Sequence, residues 1–292
     1  MSLLTVRHTT VYRYADPVGF GEHRMLFRPR ESHDLRLVKA RLDITPSPVR
    51  LRWLHDVFDN SIAVATFDEA TSSSALRFDS FVTLKHFETL LPDYPLEEHA
   101  KTYPFTYSDD EAPNLARALL HHYPSDDVSR WVRQFLDPSG TTGTMSLLRS
   151  MTLAIKEEFV YARRSEKGVQ SPSETLESRR GSCRDFAVLM MEATRCLGLA
   201  ARFVSGYIFM PERDADDTIG GGSTHAWMQA YLPGAGWVDF DPTNSIVGNR
   251  NLIRVAVAWD PKQVMPLWGT FIGSASSFLG MDVTVTVTEG LG

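Results

Sequence analysis

The hydrophobic pattern of this chain changes once, near residues 104–113. Before that point, short runs of β-branched and aromatic residues alternate with polar ones, a pattern typical of strands. After it, apolar residues recur at the spacing of helices. The predicted strands are 5–6, 10–12, 35–38, 42–44 and 81–84, and the predicted helices are 112–123, 126–136 and 144–159. The chain is therefore expected to begin with a β-rich unit and to continue with one that contains helices.

The second unit also carries strand signals. Predicted strands at 201–210, 224–232 and 237–241 follow a helix that begins near residue 183. Segment 281–289, MDVTVTVTE, alternates between apolar and polar residues and can return to the N-terminal sheet. We therefore predict an α+β protein, with an N-terminal antiparallel sheet or sandwich over residues 1–108 and a helix-and-sheet unit over residues 109–292.

Composition narrows the classes of function. Of 292 residues, 43% are hydrophobic and 23% charged, which is typical of globular proteins and argues against disorder or a coiled coil. The formal net charge of −6 argues against general binding to nucleic acid or to an anionic membrane. The sequence has no apolar run long enough for a membrane span and no signal-peptide core at its start, so a cytoplasmic location is expected.

The two cysteines, Cys183 and Cys196, need separate explanations. Both fall on one predicted helix, where their separation corresponds to about 20 Å of axial rise, whereas a disulfide requires Cα atoms within about 7 Å. No Cys-x-x-Cys spacing points to zinc. Cys196 lies among apolar residues near the helix end and is interpreted as a small buried hydrophobic residue. Cys183 lies where the helix begins.

The helix start gives Cys183 the surroundings of a nucleophile. Ser182 and Asp185 have the spacing of a capping box, which makes Ser182 the N-cap and Cys183 the first helical residue. The positive end of the helix dipole and three nearby arginines favour the thiolate, which is the reactive form. The three arginines are Arg179, Arg180 and Arg184.

A predicted hairpin supplies an imidazole and a carboxylate. His225 begins its first strand and Asp241 ends its second, so the two lie at the open ends of neighbouring strands. An aspartate beside a histidine can hold one tautomer and leave the other ring nitrogen free to face a thiolate. The glycines at 220–222, just before His225, are interpreted as a flexible flap, because they lack the ending of a phosphate-binding loop.

Together these motifs resemble the bacterial branch of the transglutaminase-like superfamily. The resemblance rests on GSCRDFA, ARFVSGY and THAWMQAYLPGAGWVDFDPT, and on RHTTVYRYADPVGFGEHRMLFRPR, which is similar to the N-terminal region that accompanies this core in bacterial members. It implies a papain-like α+β core with the cysteine on a helix and the histidine and aspartate on an antiparallel sheet. By motif position, it implies that Cys183 is the nucleophile, His225 the general base and acid, and Asp241 the orienting carboxylate. Asp239 matches a less restricted position.

The reaction that the resemblance implies is thiol-dependent acyl transfer on an amide or peptide substrate, through a cysteinyl thioester that water or an amine resolves. The backbone N–H of Cys183 is a natural first oxyanion donor. Hydrolysis is favoured over protein crosslinking, because no acceptor groove or calcium site is evident in the sequence. Two alternatives stay open. One is a catalytically inactive module that binds a peptide or partner on the same fold, and the other is an acyltransferase that uses a thioester donor such as CoA.

The sequence implies no cofactor and no metal, since it lacks His-Glu-x-x-His and EF-hand spacings. One position departs from the resemblance. Trp259 stands where an arginine is expected. If that position lines the site, the substrate preference of this chain is expected to differ from that of its relatives.

Overall fold

The computed structural model describes residues 1–88, 94–138, 140–164, 168–210, 219 and 221–290. Within these ranges the helices, α1 to α5 in chain order, are Ala112–Leu119, Asp126–Arg133, Thr144–Glu158, Pro172–Ser178 and Cys183–Cys196. The strands, β1 to β16 in chain order, are Ser2–Met25, Leu35–Thr45, Arg50–His55, Ser61–Thr66, Ser73–His86, Thr102–Tyr103, Thr142–Gly143, Val160–Tyr161, Arg180–Gly181, Ala201–Ile208, His225–Leu232, Gly236–Asp241, Ile246–Val247, Leu252–Ala258, Leu267–Ile272 and Phe278–Gly290. The α+β class predicted from the sequence is confirmed.

The long strand β1 organises the N-terminal sheet, whose order is β2-β5-β1-β4-β3. Its first half lies between β5 and β16, and its second half lies between β4 and β15, with every pair antiparallel. Register shifts between Arg13 and Val18 separate the two halves, and such irregularities bend and twist a strand. The sheet is therefore curled, and one strand serves both of its parts.

The C-terminal segment returns to this sheet. Strand β16 contains the alternating segment 281–289 and pairs with β1 from Leu3 opposite Gly290 to Tyr14 opposite Phe278. The chain thus crosses from the helix-and-sheet unit back to the first strand. The division at residues 108 and 109 stays a prediction.

A second sheet, in the order β13-β12-β11-β10-β14, carries the hairpin identified from the sequence. Helix α5 packs against one face of β11. Ala226, Met228, Ala230 and Leu232 belong to the same buried cluster as the apolar residues of α5, whereas Trp227 belongs to a cluster elsewhere. This is the division of faces that strand alternation predicts.

Helix α1 is shorter than predicted. It ends at Leu119 rather than near residue 123. The residues that follow form hydrogen bonds to a buried carboxylate on α5. The backbone N–H groups of His122 and Tyr123 donate to Glu192 at 3.2 and 3.4 Å. Since a helix would keep those groups within its own turns, the carboxylate ends the helix early. Across the described ranges, no helix has the length and apolar character needed to cross a bilayer.

The two units share one hydrophobic core. Leu4, Val6, Val82 and Leu84 of the N-terminal sheet pack in the same cluster as α5 and β11. A buried polar contact also joins them, because His8 of β1 lies 2.9 Å from the Tyr207 hydroxyl of β10. The N-terminal sheet therefore supports the second unit directly.

Candidate active site

Helix α5 begins at Cys183, with Ser182 as its N-cap, as the sequence predicts. Asp185 accepts hydrogen bonds from the backbone N–H and the hydroxyl of Ser182, both at 2.8 Å, in a capping-box arrangement. Asp185 is fully buried, while Cys183 is 6% exposed. The cysteine therefore lies at the start of the helix and is almost closed to solvent.

The capping carboxylate is itself held by residues that sequence reasoning missed. Arg164 donates to Asp185 at 2.9 Å, and the backbone N–H of Gln170 donates to the same oxygen at 2.7 Å. These contacts tie the loop before α4 to the first turn of α5. No spacing rule links residues so far apart in the chain, so only the folded structure reveals them.

His225 and Asp241 lie in contact at the end of the hairpin. Nε2 of His225 is 2.8 Å from Oδ2 of Asp241, and both side chains are fully buried. The strand register pairs Met228 with Phe240, so Asp241 is diagonal to His225 rather than directly opposite. The structure thus brings together the two residues that the sequence placed on neighbouring strands.

Asp241 is further positioned by two neighbours in the chain. The backbone N–H of Thr243 donates to Oδ1 at 2.9 Å, and Nδ2 of Asn244 donates to Oδ2 at 2.8 Å. Sequence reasoning missed both. The short separation between Asp241 and Asn244 was the available signal, since Asp and Asn side chains in turns commonly bond to nearby groups.

The imidazole of His225 favours its protonated form. Burial lowers the pKa of His225, but the charge of Asp241, the hydrogen bond to it and the nearby Cys183 outweigh burial and raise the pKa to about 10. Nδ1 of His225 is buried and has no hydrogen-bond partner among the described residues. With Nε2 committed to Asp241, Nδ1 is the ring atom left to exchange a proton with a group at the site.

A buried polar chain runs from the histidine to the N-terminal sheet. The Trp227 ring stacks on His225 with centroids 5.8 Å apart, and its Nε1 donates to Asp239 at 2.6 Å. Arg254 donates to the other oxygen of Asp239 at 3.2 Å and to both oxygens of Asp34 at 3.0 and 2.8 Å. Asp239 thus bonds to Trp227, while Asp241 bonds to the imidazole.

Gly206 makes the close packing under Trp227 possible. It lies opposite His225 in the pairing of β10 with β11. A Cβ added at this position would lie 2.1 Å from the Ile253 carbonyl oxygen and 2.8 Å from the Trp227 ring. The backbone of β10 can approach β14 and the indole only because the residue has no side chain.

Two hydrogen bonds hold the segment before His225. Arg163 donates from Nη2 to the Gly221 carbonyl at 3.0 Å, and the Val285 N–H of β16 donates to the Gly222 carbonyl at 3.1 Å. Gly220, the first residue of the predicted flap, lies outside the described residues. The carbonyl groups of Gly221 and Gly222 each accept one hydrogen bond from outside the segment, and the flexible flap stays a prediction.

The arginines around the helix start differ in their partners. Arg179 forms an ion pair with Glu158 at 2.6 Å and covers the Phe159 ring. Arg184 is exposed on the first turn of α5. The expectation that Arg179 adds charge at the sulfur is therefore weakened, because its charge is balanced by Glu158.

Trp259 and Cys196, which the sequence analysis also singled out, lie near the C-terminal end of α5. The Trp259 carbonyl accepts a hydrogen bond from Arg195, near the C-terminal end of the helix and about 20 Å along its axis from Cys183. Trp259 therefore does not line the sulfur site. Cys196 is half-buried beside Ser129, and burial raises the pKa of its thiol. In the part of the chain that is described, no three His, Cys, Asp or Glu residues group to hold a metal.

Comparisons with known proteins agree with this architecture. The family model described as the bacterial transglutaminase-like N-terminal region matches residues 4–83. The model of the transglutaminase-like superfamily matches residues 133–242, which span Cys183, His225 and Asp241.

Relatives match along nearly the whole chain. An uncharacterized protein of Mycobacterium tuberculosis is 29% identical, with 98% of this chain and 93% of the relative covered. An uncharacterized protein of Mycobacterium leprae is 28% identical, with 98% of each covered. Among solved structures, a candidate cysteine protease from Cytophaga hutchinsonii superposes with a TM-score of 0.70 at 18% identity, covering 99% of this chain and 91% of that one. The last likeness shows a shared fold. This chain belongs to the transglutaminase-like superfamily and carries the bacterial N-terminal region ahead of the superfamily core.

Proposed function

We propose that this chain is a thiol-dependent acyl-transfer enzyme that acts on an amide or peptide bond. Cys183 is the nucleophile, His225 the general base and acid, and Asp241 the carboxylate that orients the imidazole. The observation that carries the proposal is the surroundings of His225. Its Nε2 lies 2.8 Å from Asp241, its Nδ1 has no hydrogen-bond partner among the described residues, and Cys183 is close enough to raise the pKa of the ring.

In the proposed reaction, Cys183 accepts the acyl group and later releases it, and His225 gives up a proton and later takes one back. The Cys183 thiolate attacks the carbonyl carbon of the substrate and an S–C bond forms. The C–N bond then breaks, and Nδ1 of the His225 imidazolium gives its proton to the leaving amine. Water next attacks the thioester and loses a proton to His225, which releases a carboxylic acid and restores the thiolate and imidazolium. Asp241 keeps its negative charge throughout and stabilises the imidazolium.

The helix start also supplies a donor for the oxyanion. The N–H groups of the first helical turn have no acceptor within the helix, and Cys183 is the first helical residue. Its N–H is therefore suited to stabilise negative charge on the carbonyl oxygen as the tetrahedral intermediate forms.

Water is the acceptor that we favour. Cys183 is only 6% exposed, and water is the smallest acceptor that can reach a sheltered thioester. A glutamine peptide offered with a primary amine distinguishes the outcomes, because hydrolysis releases ammonia and leaves glutamate, whereas transamidation incorporates the amine. Dominant incorporation of the amine would reverse this preference.

Alkylation of the thiol tests whether the site is catalytic. In an enzyme, iodoacetamide should label Cys183 rapidly well below pH 8, and His225→Ala should slow the labelling at least about tenfold. His99→Ala is the matched control, since His99 forms an exposed contact of 3.5 Å with Glu97. Equal and slow labelling of Cys183 and Cys196 would instead favour a non-catalytic peptide- or partner-binding module.

Trapping the acyl group identifies the substrate. Mass spectrometry of adducts on Cys183 after incubation with cell extract would report a peptide acyl group if the proposal holds. An adduct that forms only when a CoA thioester is added would favour the acyltransferase alternative. A peptide or protein amide is the proposed partner, with no nucleic acid and no membrane.

A cytoplasmic location is part of the same proposal. Both cysteines are free, which is typical of proteins in reducing compartments. Fractionation of cells that express the protein from its own gene tests the location.

A further inference from the structure

Two exposed arginines stand at the rim of the sulfur site. Arg184 follows Cys183 directly and lies on the first turn of α5. Arg163 follows β8 and reaches across to the Gly221 carbonyl, in the segment that leads to His225. The rim thus has one cation on the nucleophile's helix and one in contact with the segment that leads to His225.

Tyr161 lies near Cys183 and near both arginines. Strand β8 pairs with β9 so that Tyr161 lies opposite Gly181, two residues before Cys183. Burial and the charge of Cys183 raise the pKa of the Tyr161 hydroxyl, while Arg163 and Arg184 act on it in the opposite direction. One half-buried hydroxyl is therefore close enough to the sulfur and to both guanidinium groups to interact with all three.

The positive charge at this rim is local. Neither Arg163 nor Arg184 forms an ion pair with any residue that the structure describes, whereas their neighbours Arg164 and Arg179 are paired with Asp185 and Glu158. The chain as a whole carries a net charge of −6, so its overall field repels anions. The rim and the helix start attract them.

We infer that the substrate carries a carboxylate close to the scissile acyl group, as in an acidic peptide, and that Arg163 and Arg184 determine this specificity. A guanidinium binds a carboxylate through two parallel hydrogen bonds, which fixes orientation as well as charge. This inference rests on the proposed role of Cys183 as the nucleophile.

Two reagents that differ in charge test it without a known substrate. Iodoacetate and iodoacetamide both react with the thiolate, which forms an S–C bond and displaces iodide, but only iodoacetate carries a carboxylate. Peptide mapping by mass spectrometry gives the rate at Cys183 in the intact protein, and N-acetylcysteine amide provides the reference ratio. We expect the iodoacetate-to-iodoacetamide rate ratio at Cys183 to exceed the reference at least about fivefold at low salt, and to approach it near 1 M salt.

The variants assign the effect to the two arginines. Arg184→Gln and Arg163→Gln should each lower the ratio about two- to threefold, which is the effect that Coulomb's law gives in water for one charge at a distance of about 8 Å. Arg163→Lys should restore most of it. Arg179→Gln, which removes an arginine already paired with Glu158, should leave it unchanged.

The outcomes separate this inference from the proposed function. A ratio equal to the reference, or one that Arg184→Gln and Arg163→Gln do not change, overturns the carboxylate specificity while rapid labelling by iodoacetamide still supports the nucleophile. Failure of both reagents to label Cys183 faster than Cys196 would overturn the nucleophile itself, and the inference with it.

Discussion

His225 bonds Asp241 through Nε2, at 2.8 Å, in a pair that is closed to solvent. Because one ring nitrogen is committed to the carboxylate, a proton can leave or enter the ring only through Nδ1. The pair therefore fixes both the charge of the imidazole and the direction in which it can act.

Asp241→Asn should slow the alkylation of Cys183 by iodoacetamide at least about tenfold between pH 6 and 7. The substitution removes the negative charge that raises the pKa of His225, so the imidazolium that accompanies the thiolate is lost at a lower pH. Labelling of Cys196 in the same sample serves as the internal control. An unchanged pH–rate profile at Cys183 would contradict the assigned role of Asp241.

The protonation of His225 should be visible by NMR of histidine-labelled protein. With a pKa raised to about 10, the ring should remain an imidazolium through neutral pH. In the wild-type protein, the stability that this proton contributes should be complete below about pH 6.5, the unfolded value, and should be lost as pH rises towards 10. A neutral His225 ring at pH 8 would show that Asp241 does not raise the pKa of the imidazole to about 10.

His8 should behave in the opposite way. Burial lowers the pKa of His8 to about 4, while the ring contacts the hydroxyls of Tyr207 and Thr10 at 2.9 and 3.0 Å. The folded protein should therefore lose stability as pH falls from about 6.5 towards 4, because the unfolded chain binds the proton more readily. Urea unfolding of wild type and His8→Gln checks this, and the decrease in stability should be smaller in the variant.

Asp34→Asn should destabilise the protein by about 2–4 kcal/mol at pH 7, because it removes one carboxylate from Arg254, whose side chain is only 14% exposed. Burial raises the pKa of Asp34, but the charge and hydrogen bonds of Arg254 outweigh burial and hold it well below its usual range. The difference from wild type should therefore shrink as pH falls below about 4.

Asp282→Asn is the matched control for Asp34→Asn in urea unfolding. Asp282 pairs with Arg13 at the surface, where both side chains are more than half exposed, and the change should cost less than about 1 kcal/mol. Equal costs at the two positions would show that burial does not strengthen the pair of Asp34 with Arg254.

Gly206→Ala should cost about 1–3 kcal/mol, since the added methyl group would overlap the Ile253 carbonyl and the Trp227 ring. It should also slow the labelling of Cys183, because Trp227 stacks on His225. Gly290→Ala, whose methyl group would meet only Leu3 at 3.6 Å and beyond, should change stability by a few tenths of a kcal/mol. Thermal unfolding of both variants measures the contrast.

Local patterns were enough to predict the helix start at Cys183 and the hairpin with His225 and Asp241. Capping spacing and strand alternation are short-range signals that tertiary packing did not override here. They also indicated β16, whose alternating residues fit a sheet with one buried face. Strands β4 and β14 were not predicted, because SIAVAT and LIRVAVA are nearly continuous apolar runs that periodicity alone does not assign to a strand.

Contacts between residues that are distant in sequence could not be predicted from such short-range patterns. The link from Trp227 through Asp239 and Arg254 to Asp34 joins residues up to 220 positions apart. The early end of α1 has the same origin, since Glu192 on another helix takes the N–H groups that would have continued it. In each case a buried charged group needs hydrogen-bond or ion-pair partners, and these come from distant parts of the chain.

The position of Arg254 between a carboxylate from each unit limits how such proteins can be recombined. A chimera that joins this core to the N-terminal region of another member would bury the guanidinium beside a single anion unless the donor brings an acid to the place of Asp34. Hybrids made by exchanging segments between relatives should therefore be most stable when that acid and that base are inherited together.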